Sequence, residues 1–202
     1  MTTEPTPRVG VLALQGDFRE HLAVLTSLGA EAVPVRRASE LDEIDGLVIP
    51  GGESSVMDKL SRMFGLDEPL RRAIGSGLPV YGTCAGLIML ADRIVDGIPG
   101  QQSLGGLDVS VRRNAFGSQT ESFETDVDVP VLDGPPVHAV FIRAPVVDEV
   151  GPAATAIGVL EDGRVVAVEQ GPLMGTSFHP EVTDDLRFHA RFLDKARARA
   201  SR

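Results

Sequence analysis

The cysteine of this 202-residue chain, Cys84, lies in a pentapeptide suited to nucleophilic chemistry, Gly82-Thr-Cys-Ala-Gly86. The pentapeptide joins a predicted strand to a predicted helix, and it matches the glycine-x-nucleophile-x-glycine elbow with Cys in place of Ser. A helix N-terminus favours the thiolate, which is the reactive form, and we expect the amide of Ala85 to face a developing oxyanion. The alternative interpretation is a small buried core cysteine.

A cysteine nucleophile needs a base, and His179 is the best candidate among the four histidines because of the sequence Ser177-Phe-His-Pro-Glu181. If His179 ends a strand, Glu181 lies on the same face and its carboxylate can reach the ring. That contact would fix the tautomer and leave the other ring nitrogen for the thiol. A satisfied structural histidine is the alternative.

The other three histidines are weaker candidates for the base. His21 lies on the first predicted helix and His189 on the last, where surface or packing roles are expected. His138 lies in a predicted strand beside a proline-rich turn, and nothing nearby in the sequence orients it.

A glycine-rich loop, Pro50-Gly-Gly-Glu-Ser-Ser55, follows the third predicted strand. Loops at the carboxyl ends of parallel strands form the crevice of open α/β sheets. Without Cβ atoms, the peptide between Gly51 and Gly52 can present either its carbonyl or its N–H to an oxyanion. An ordinary turn, with Ser54 or Ser55 capping the next helix, is the alternative. The sequence has no nucleotide-binding glycine motif, and His179 with Glu181 makes a poor metal site without further ligands.

The elements that must position these residues alternate between strand and helix in the first half of the chain and become mostly strand afterwards. This order predicts an α/β fold, with a mostly parallel central sheet flanked by helices and added antiparallel strands, in one domain over residues 1–202. The predicted strands are 9–14, 31–35, 46–50, 78–82, 107–111, 122–129, 137–142, 155–160, 164–169 and 173–178. The predicted helices are 17–28 with Asp17 as N-cap, a turn at 39–42, one from Ser54 or Ser55 through Met63, 69–76, 85–91 and 184–198.

The composition excludes several classes of function. A formal net charge of −10 argues against nucleic acid as the main partner. The apolar runs are too short to span a bilayer, and no signal peptide is evident. One cysteine allows no intrachain disulfide, which favours a reducing cytoplasm.

Taken together in order, the motifs of this chain resemble the class I, triad-type glutamine amidotransferases. Within them the chain is similar to the glutaminase subunits of pyridoxal 5′-phosphate synthase, over nearly its whole length. The resemblance implies a flavodoxin-like sheet. The matching stretches are Leu12–Gly16 with Glu20-His21, Pro50–Ser54, Gly82–Ile88, Arg113–Gly117, Ser122–Glu124, Phe141–Pro145 and His179–Glu181.

The resemblance implies a role for each matching position. Cys84 would be the nucleophile, His179 its base and Glu181 the residue that orients the base. The L-glutamine pocket would be formed by Gly52, Glu53, Ser54, Arg113, Ile142 and Arg143. An arginine suits the α-carboxylate of glutamine, and a glutamate suits its α-ammonium. No cofactor and no metal are implied on this chain.

The resemblance also implies a partner, a (β/α)₈-barrel synthase subunit that uses the ammonia within a large hetero-oligomer. Ser118 stands where the family often has Arg, and Ser55-Val56 replaces a usual Thr-Thr. The rival interpretations are another triad glutaminase such as the histidine-pathway subunit, a catalytically silent regulatory subunit, and a cysteine peptidase or esterase.

Overall fold

A computed structural model of the chain describes residues 6–113, 115 and 122–201. The strands in this part are β1 Arg8–Leu12, β2 Glu31–Val35, β3 Gly46–Ile49, β4 Val80–Thr83, β5 Ala91–Val95, β6 Leu107–Arg112, β7 Ser122–Val127, β8 Val137–Ile142, β9 Val146–Val150, β10 Thr155–Val159, β11 Val165–Gln170 and β12 Leu173–Thr176. The α-helices are α1 Phe18–Ser27, α2 Ser54–Met63, α3 Asp67–Gly75, α4 Ala85–Leu90 and α5 Arg187–Ala200. Two 3₁₀ helices cover Ala38–Glu43 and Pro180–Val182.

Ten of these strands form one sheet in the order β2-β1-β3-β4-β12-β11-β9-β6-β5, with β10 added beside β11. The pairs from β2 to β12 are parallel, whereas β11 is antiparallel to β12, β10 and β9. β7 and β8 form a separate antiparallel pair. The carboxyl ends of β1, β3, β4 and β12 therefore meet at one edge of the sheet, which is where the candidate site lies.

Helices cover both faces of this sheet and bury an aliphatic core on one side and a core that includes aromatic residues on the other. Met57 of α2 and Leu70 of α3 belong to the core on one face, together with α4. Leu25 of α1 and Phe192 of α5 belong to the core on the other face, which Phe141 of β8 also joins. Because α4 begins immediately after β4, burying this six-residue helix also fixes the strand-to-helix turn that carries Cys84.

The structure confirms the predicted α/β class and most predicted elements. Two strands were missed: β5, of which Asp92 and Arg93 are exposed, and β9, which ends in Asp148, Glu149 and Val150. Both lack a continuous apolar run, so their pairing with β6 creates the strand. No helix in the described ranges is long and apolar enough to cross a membrane.

The cap predicted for α2 was wrong, whereas the cap predicted for α1 is confirmed in position. α2 is capped by Glu53, whose side chain accepts a hydrogen bond from the Ser55 backbone N–H at 3.2 Å. The predicted caps, Ser54 and Ser55, lie inside the helix. Asp17 does precede α1, but its side chain makes no capping hydrogen bond.

Candidate active site

Cys84 lies at a strained turn between β4 and α4. Its φ of 50° is in the left-handed region that non-glycine residues rarely adopt. The flanking glycines are needed because a Cβ on Gly82 would lie 2.4 Å from the Gly86 carbonyl oxygen. A Cβ on Gly86 would lie 2.0 Å from the carbonyl oxygen of Ile49. This packing holds Cys84 at the carboxyl edge of the sheet, where its own N–H donates to the carbonyl of Thr176 at 2.8 Å.

His179 and Glu181 meet Cys84 at this edge. Glu181 Oε1 lies 2.7 Å from His179 Nδ1, which leaves the other ring nitrogen, Nε2, for Cys84, to which the ring also hydrogen-bonds. The predicted contact is confirmed, but its predicted cause is wrong. β12 ends at Thr176, and Glu181 turns back onto the ring because Pro180–Val182 is a 3₁₀ helix.

The charged form of His179 is favoured at this position. Burial lowers the pKa of the ring, but the hydrogen bonds to Cys84 and Glu181, and their negative charges, outweigh burial and raise it to about 10. At neutral pH the ring therefore carries two protons beside the sulfur. An imidazolium in this position can hold a thiolate and later give a proton to a leaving group.

A cavity of about 330 Å³ opens above Cys84. Of the residues that the structure describes, eleven line this cavity, and nine of these were predicted from the sequence as site residues. These nine are Gly52, Glu53, Ser54, Cys84, Ala85, Arg113, Ile142, Arg143 and His179; the other two are Asp17 and Ile88. Gly51 and Glu181 are not in the lining: Gly51 packs against the His179 ring, and Glu181 lies behind it.

One wall of the cavity is a polar network around Arg113. Its guanidinium donates to Glu53 Oε1 at 2.7 Å and to Gln101 Oε1 at 2.9 Å. Gln101 in turn donates to the hydroxyl of the buried Ser54 at 2.9 Å. Sequence reasoning missed Gln101, which lies in a stretch without regular structure and outside the matching motifs. The charge of Arg113 is already paired, so this residue serves to hold Glu53 in place.

Ile142 and Arg143 also line the cavity. Ile142 is 40% exposed, and Arg143 follows it with a φ of 46°. Arg143 makes no ion pair with any residue that the structure describes. An unpaired guanidinium at the mouth of a pocket is suited to bind a carboxylate.

The glycine loop after β3 packs tightly against the other residues of the site. A Cβ on Gly51 would lie 2.5 Å from His179 Cε1, and one on Gly52 would lie 2.5 Å from the amide nitrogen of Gln15. Gly52 also has a φ of 134°. The Gly51 carbonyl oxygen points at Gly16, where a Cβ would lie only 1.8 Å away. The Gly52 N–H of the same peptide therefore points away from Gly16.

Asp17 was predicted only as a helix cap, and the structure adds it to the site. Its Oδ2 lies 3.8 Å from His179 Nδ1, so Asp17, His179 and Glu181 form a cluster of possible metal ligands. The ring nitrogen that faces this cluster is already hydrogen-bonded to Glu181 at 2.7 Å. A metal would have to replace that bond, so the arrangement suits proton transfer better than metal binding.

The remaining histidines agree with the expectations drawn from the sequence only in part. His21 and His189 are completely buried and hydrogen-bond to each other, which confirms the packing alternative and excludes the surface one for both. His138 is half-exposed on β8 and does have orienting partners, Glu124 and Asp126. From the predicted Arg113–Gly117 motif, Asn114, Phe116 and Gly117 lie outside the described residues, as does Ser118.

Comparison with known proteins identifies the family. The SNO glutamine amidotransferase family matches residues 11–198. This chain belongs to that family. A relative from Clavibacter sepedonicus, the pyridoxal 5′-phosphate synthase subunit PdxT, is 73% identical over 188 residues, covering 93% of this chain and 90% of the relative.

Two further comparisons agree with this assignment to the glutamine amidotransferases. The PdxT subunit of Leifsonia xyli subsp. xyli is 70% identical over 194 residues, covering 96% of this chain and 98% of that protein. A crystal structure described as a glutamine amidotransferase superimposes with a TM-score of 0.86 at 48% identity, covering 93% of this chain and 98% of the other.

Proposed function

We propose that this chain hydrolyses L-glutamine to L-glutamate and ammonia, and that it delivers the ammonia to a pyridoxal 5′-phosphate synthase subunit. The observation that carries the reaction is the hydrogen-bonded series Cys84–His179–Glu181, of which Cys84 and His179 line a pocket and Glu181 lies behind His179. The names of the two PdxT relatives support the synthase as destination.

In the proposed reaction the Cys84 thiolate attacks the γ-amide carbon of glutamine. The carbonyl oxygen becomes an oxyanion, which accepts hydrogen bonds from the Ala85 N–H and from the Gly52 N–H of the Gly51-Gly52 peptide. Doubly protonated His179 gives a proton to the amide nitrogen, the C–N bond breaks, and ammonia leaves. A γ-glutamyl thioester remains on Cys84.

Water completes the cycle. His179, now neutral, takes a proton from the water as it attacks the thioester carbon. The C–S bond then breaks, glutamate leaves, and the thiolate–imidazolium pair is restored. Throughout, Glu181 holds His179 Nδ1 in its protonated form, so that Nε2 is the nitrogen that exchanges protons.

Glutamine recognition is assigned to residues of the cavity lining. We assign the α-carboxylate to Arg143, because this cation of the lining has no ion pair among the residues that the structure describes. We assign the α-ammonium to Glu53, whose Oε1 is held by Arg113 while its Oε2 has no hydrogen bond within the described part of the chain. Ser54 and Ile142 contribute the polar and apolar walls between these two ends.

The partner is proposed to be a (β/α)₈-barrel synthase subunit within a large hetero-oligomer. Ammonia released without a partner is wasted, so we expect the chain to hydrolyse glutamine slowly when no synthase subunit is bound. The Gly51-Gly52 peptide offers a switch, because only its N–H orientation stabilises the oxyanion. Loss of one such donor typically costs about 100- to 1,000-fold in rate.

Ammonia release from glutamine, measured across a titration of the barrel subunit, tests the proposal. We expect slow turnover by the chain alone and acceleration when the synthase is added. Absence of glutamine hydrolysis under both conditions would overturn the proposed function. Activation by a different ammonia-using synthase, and not by this one, would reassign the partner.

A further inference from the structure

Behind the Cys84–His179 pair, a buried row of polar side chains continues beyond Glu181. Glu181 Oε1 is bonded to His179, but Glu181 Oε2 is completely buried and has no hydrogen bond in the described structure. A buried carboxylate oxygen without a donor is costly. His21 approaches this oxygen, with its Nε2 at 3.5 Å from Glu181 Oε2.

His21 belongs to α1 and is held from both sides. Its Nε2 lies 3.1 Å from the Thr83 hydroxyl oxygen, and its Nδ1 lies 2.9 Å from His189 Nε2. His189 lies on α5 against the edge of Tyr81, with ring centroids 5.7 Å apart. The second nitrogen of His189, Nδ1, has no hydrogen-bond partner in the described structure.

Both rings are neutral in the folded protein. Burial, followed by the charges of His189 and His179, keeps the pKa of His21 well below its ordinary value. Burial lowers the pKa of His189 to about 4. Each ring therefore carries one N–H, and the two rings share one hydrogen bond, so only two arrangements of protons are possible.

The surroundings favour one of these arrangements. If His21 Nδ1–H donated to His189, the lone pair of His21 Nε2 would face the Glu181 carboxylate, and His189 would be left with a buried, unpaired Nδ1–H. If His189 Nε2–H donates to His21, no lone pair of His21 faces the carboxylate, and the buried, unpartnered Nδ1 of His189 is a lone pair and not an N–H. His21 then directs its Nε2–H at Thr83 and at Glu181 Oε2.

We infer that His21, fixed in this tautomer by His189, is a positioning residue that donates a hydrogen bond from Nε2 to Glu181 Oε2. This contact holds the carboxylate so that its other oxygen stays on His179 Nδ1. The inference rests on the proposed glutaminase function and extends it to a residue that does not contact the substrate.

A pair of variants separates the hydrogen bond from packing. In His21→Gln the amide nitrogen can occupy the position of the ring Nε2, whereas the shorter His21→Asn reaches only the position of Nδ1. We expect His21→Asn to lower kcat on the order of tenfold to hundredfold, with little change in KM, because a donor to a buried charge is lost. His21→Gln should retain kcat within about fivefold of the wild type, because the donor is kept.

Thr83→Val is the matched control, because it removes the other neighbour of His21 Nε2 with little change of shape. It should keep kcat within about threefold of the wild type, because the donor to Glu181 is intact. Equal loss of kcat in His21→Gln and His21→Asn, with wild-type unfolding midpoints, would overturn the inference. That result would leave the proposed function standing as long as the wild type hydrolyses glutamine.

The tautomer can be measured on the unmodified chain even if a variant does not fold. Long-range ¹H–¹⁵N correlation spectra distinguish a protonated from an unprotonated ring nitrogen in each histidine. We expect His21 to be protonated at Nε2 and not at Nδ1. Protonation at Nδ1 would contradict the inference whether or not the chain turns over glutamine.

Discussion

Replacing Glu181 with glutamine removes the negative charge that faces His179 but nearly preserves the shape of the side chain. Both side chains are buried, and their atoms lie 2.7 Å apart. The glutamine oxygen can still accept a hydrogen bond from Nδ1, so the ring keeps its orientation. What is lost is the charge that helps to keep the ring doubly protonated.

The size of the effect follows from the pKa of His179. The rise from 6.5 to about 10 is worth about 5 kcal/mol in favour of the protonated ring, at about 1.4 kcal/mol for each pKa unit. Cys84 contributes first and Glu181 second. If Glu181 supplies up to half, about 2.5 kcal/mol, its loss raises by that amount the barrier of the step in which neutral His179 takes a proton from water, and kcat falls on the order of 50- to 100-fold.

His179→Asn should lower kcat further, by about 10³-fold or more, because the group that moves the protons is then absent. Asp17→Asn is the matched comparison, because the Asp17 carboxylate also faces His179 Nδ1, but it lies 3.8 Å away and is half-exposed. This variant should lower kcat by less than about tenfold. The assay is ammonia release at saturating glutamine with the synthase subunit present. Wild-type turnover by His179→Asn, or a larger loss in Asp17→Asn than in Glu181→Gln, would refute the reasoning.

Three further predictions concern other parts of the chain. Arg143→Ala should raise KM for glutamine more than it lowers kcat in steady-state assays, because a group that holds the α-carboxylate stabilises the ground state and the transition state equally. An unchanged KM with a strongly reduced kcat would contradict this. Gly52→Ala should reduce the acceleration of glutamine turnover in a synthase titration, because the backbone there has a φ of 134° and Gln15 occupies the space for a Cβ. An undiminished acceleration would argue against the switch. The free energy of unfolding should fall as the pH drops below 6.5 towards 4.5, by up to about 2.7 kcal/mol per pH unit, because unfolding lets both His21 and His189 bind protons. His179 adds no slope in that window, since its raised pKa makes its contribution constant below 6.5 and lost only as the pH rises towards 10. Urea unfolding across this range checks the slope, and a flat profile would be inconsistent with neutral buried rings.

The sequence predicted the residues of the site better than the local structure that positions them. Apolar runs were enough to predict most of the strands, and the Gly82–Gly86 spacing to predict the cysteine elbow, because both are local patterns in the sequence. His179 and Glu181 were paired correctly, yet through a 3₁₀ turn that a strand pattern does not indicate. Gly51→Ala, an obvious test of the switch from the sequence alone, is unsuitable because its Cβ would lie 2.5 Å from His179 Cε1.

Contacts that depend on long-range packing could not be predicted from the sequence, even where a matching motif includes the residue. His21 and His189 are 168 positions apart and meet only when α1 and α5 pack on the same face of the sheet. Gln101 reaches Ser54 and Arg113 from a stretch with no regular structure. Periodicity describes single elements, whereas these contacts depend on how the elements are assembled.

The central claim is that the Cys84 sulfur is the nucleophile of the glutaminase reaction. The Cys84→Ala variant, which lacks this sulfur, tests it most directly. Wild type and Cys84→Ala are compared for ammonia release from L-glutamine with the synthase subunit present, and the circular dichroism and unfolding midpoint of each are recorded. We predict no ammonia above background from a folded Cys84→Ala protein, because the nucleophile that forms the thioester is gone. Near-normal turnover by that folded variant would contradict the mechanism.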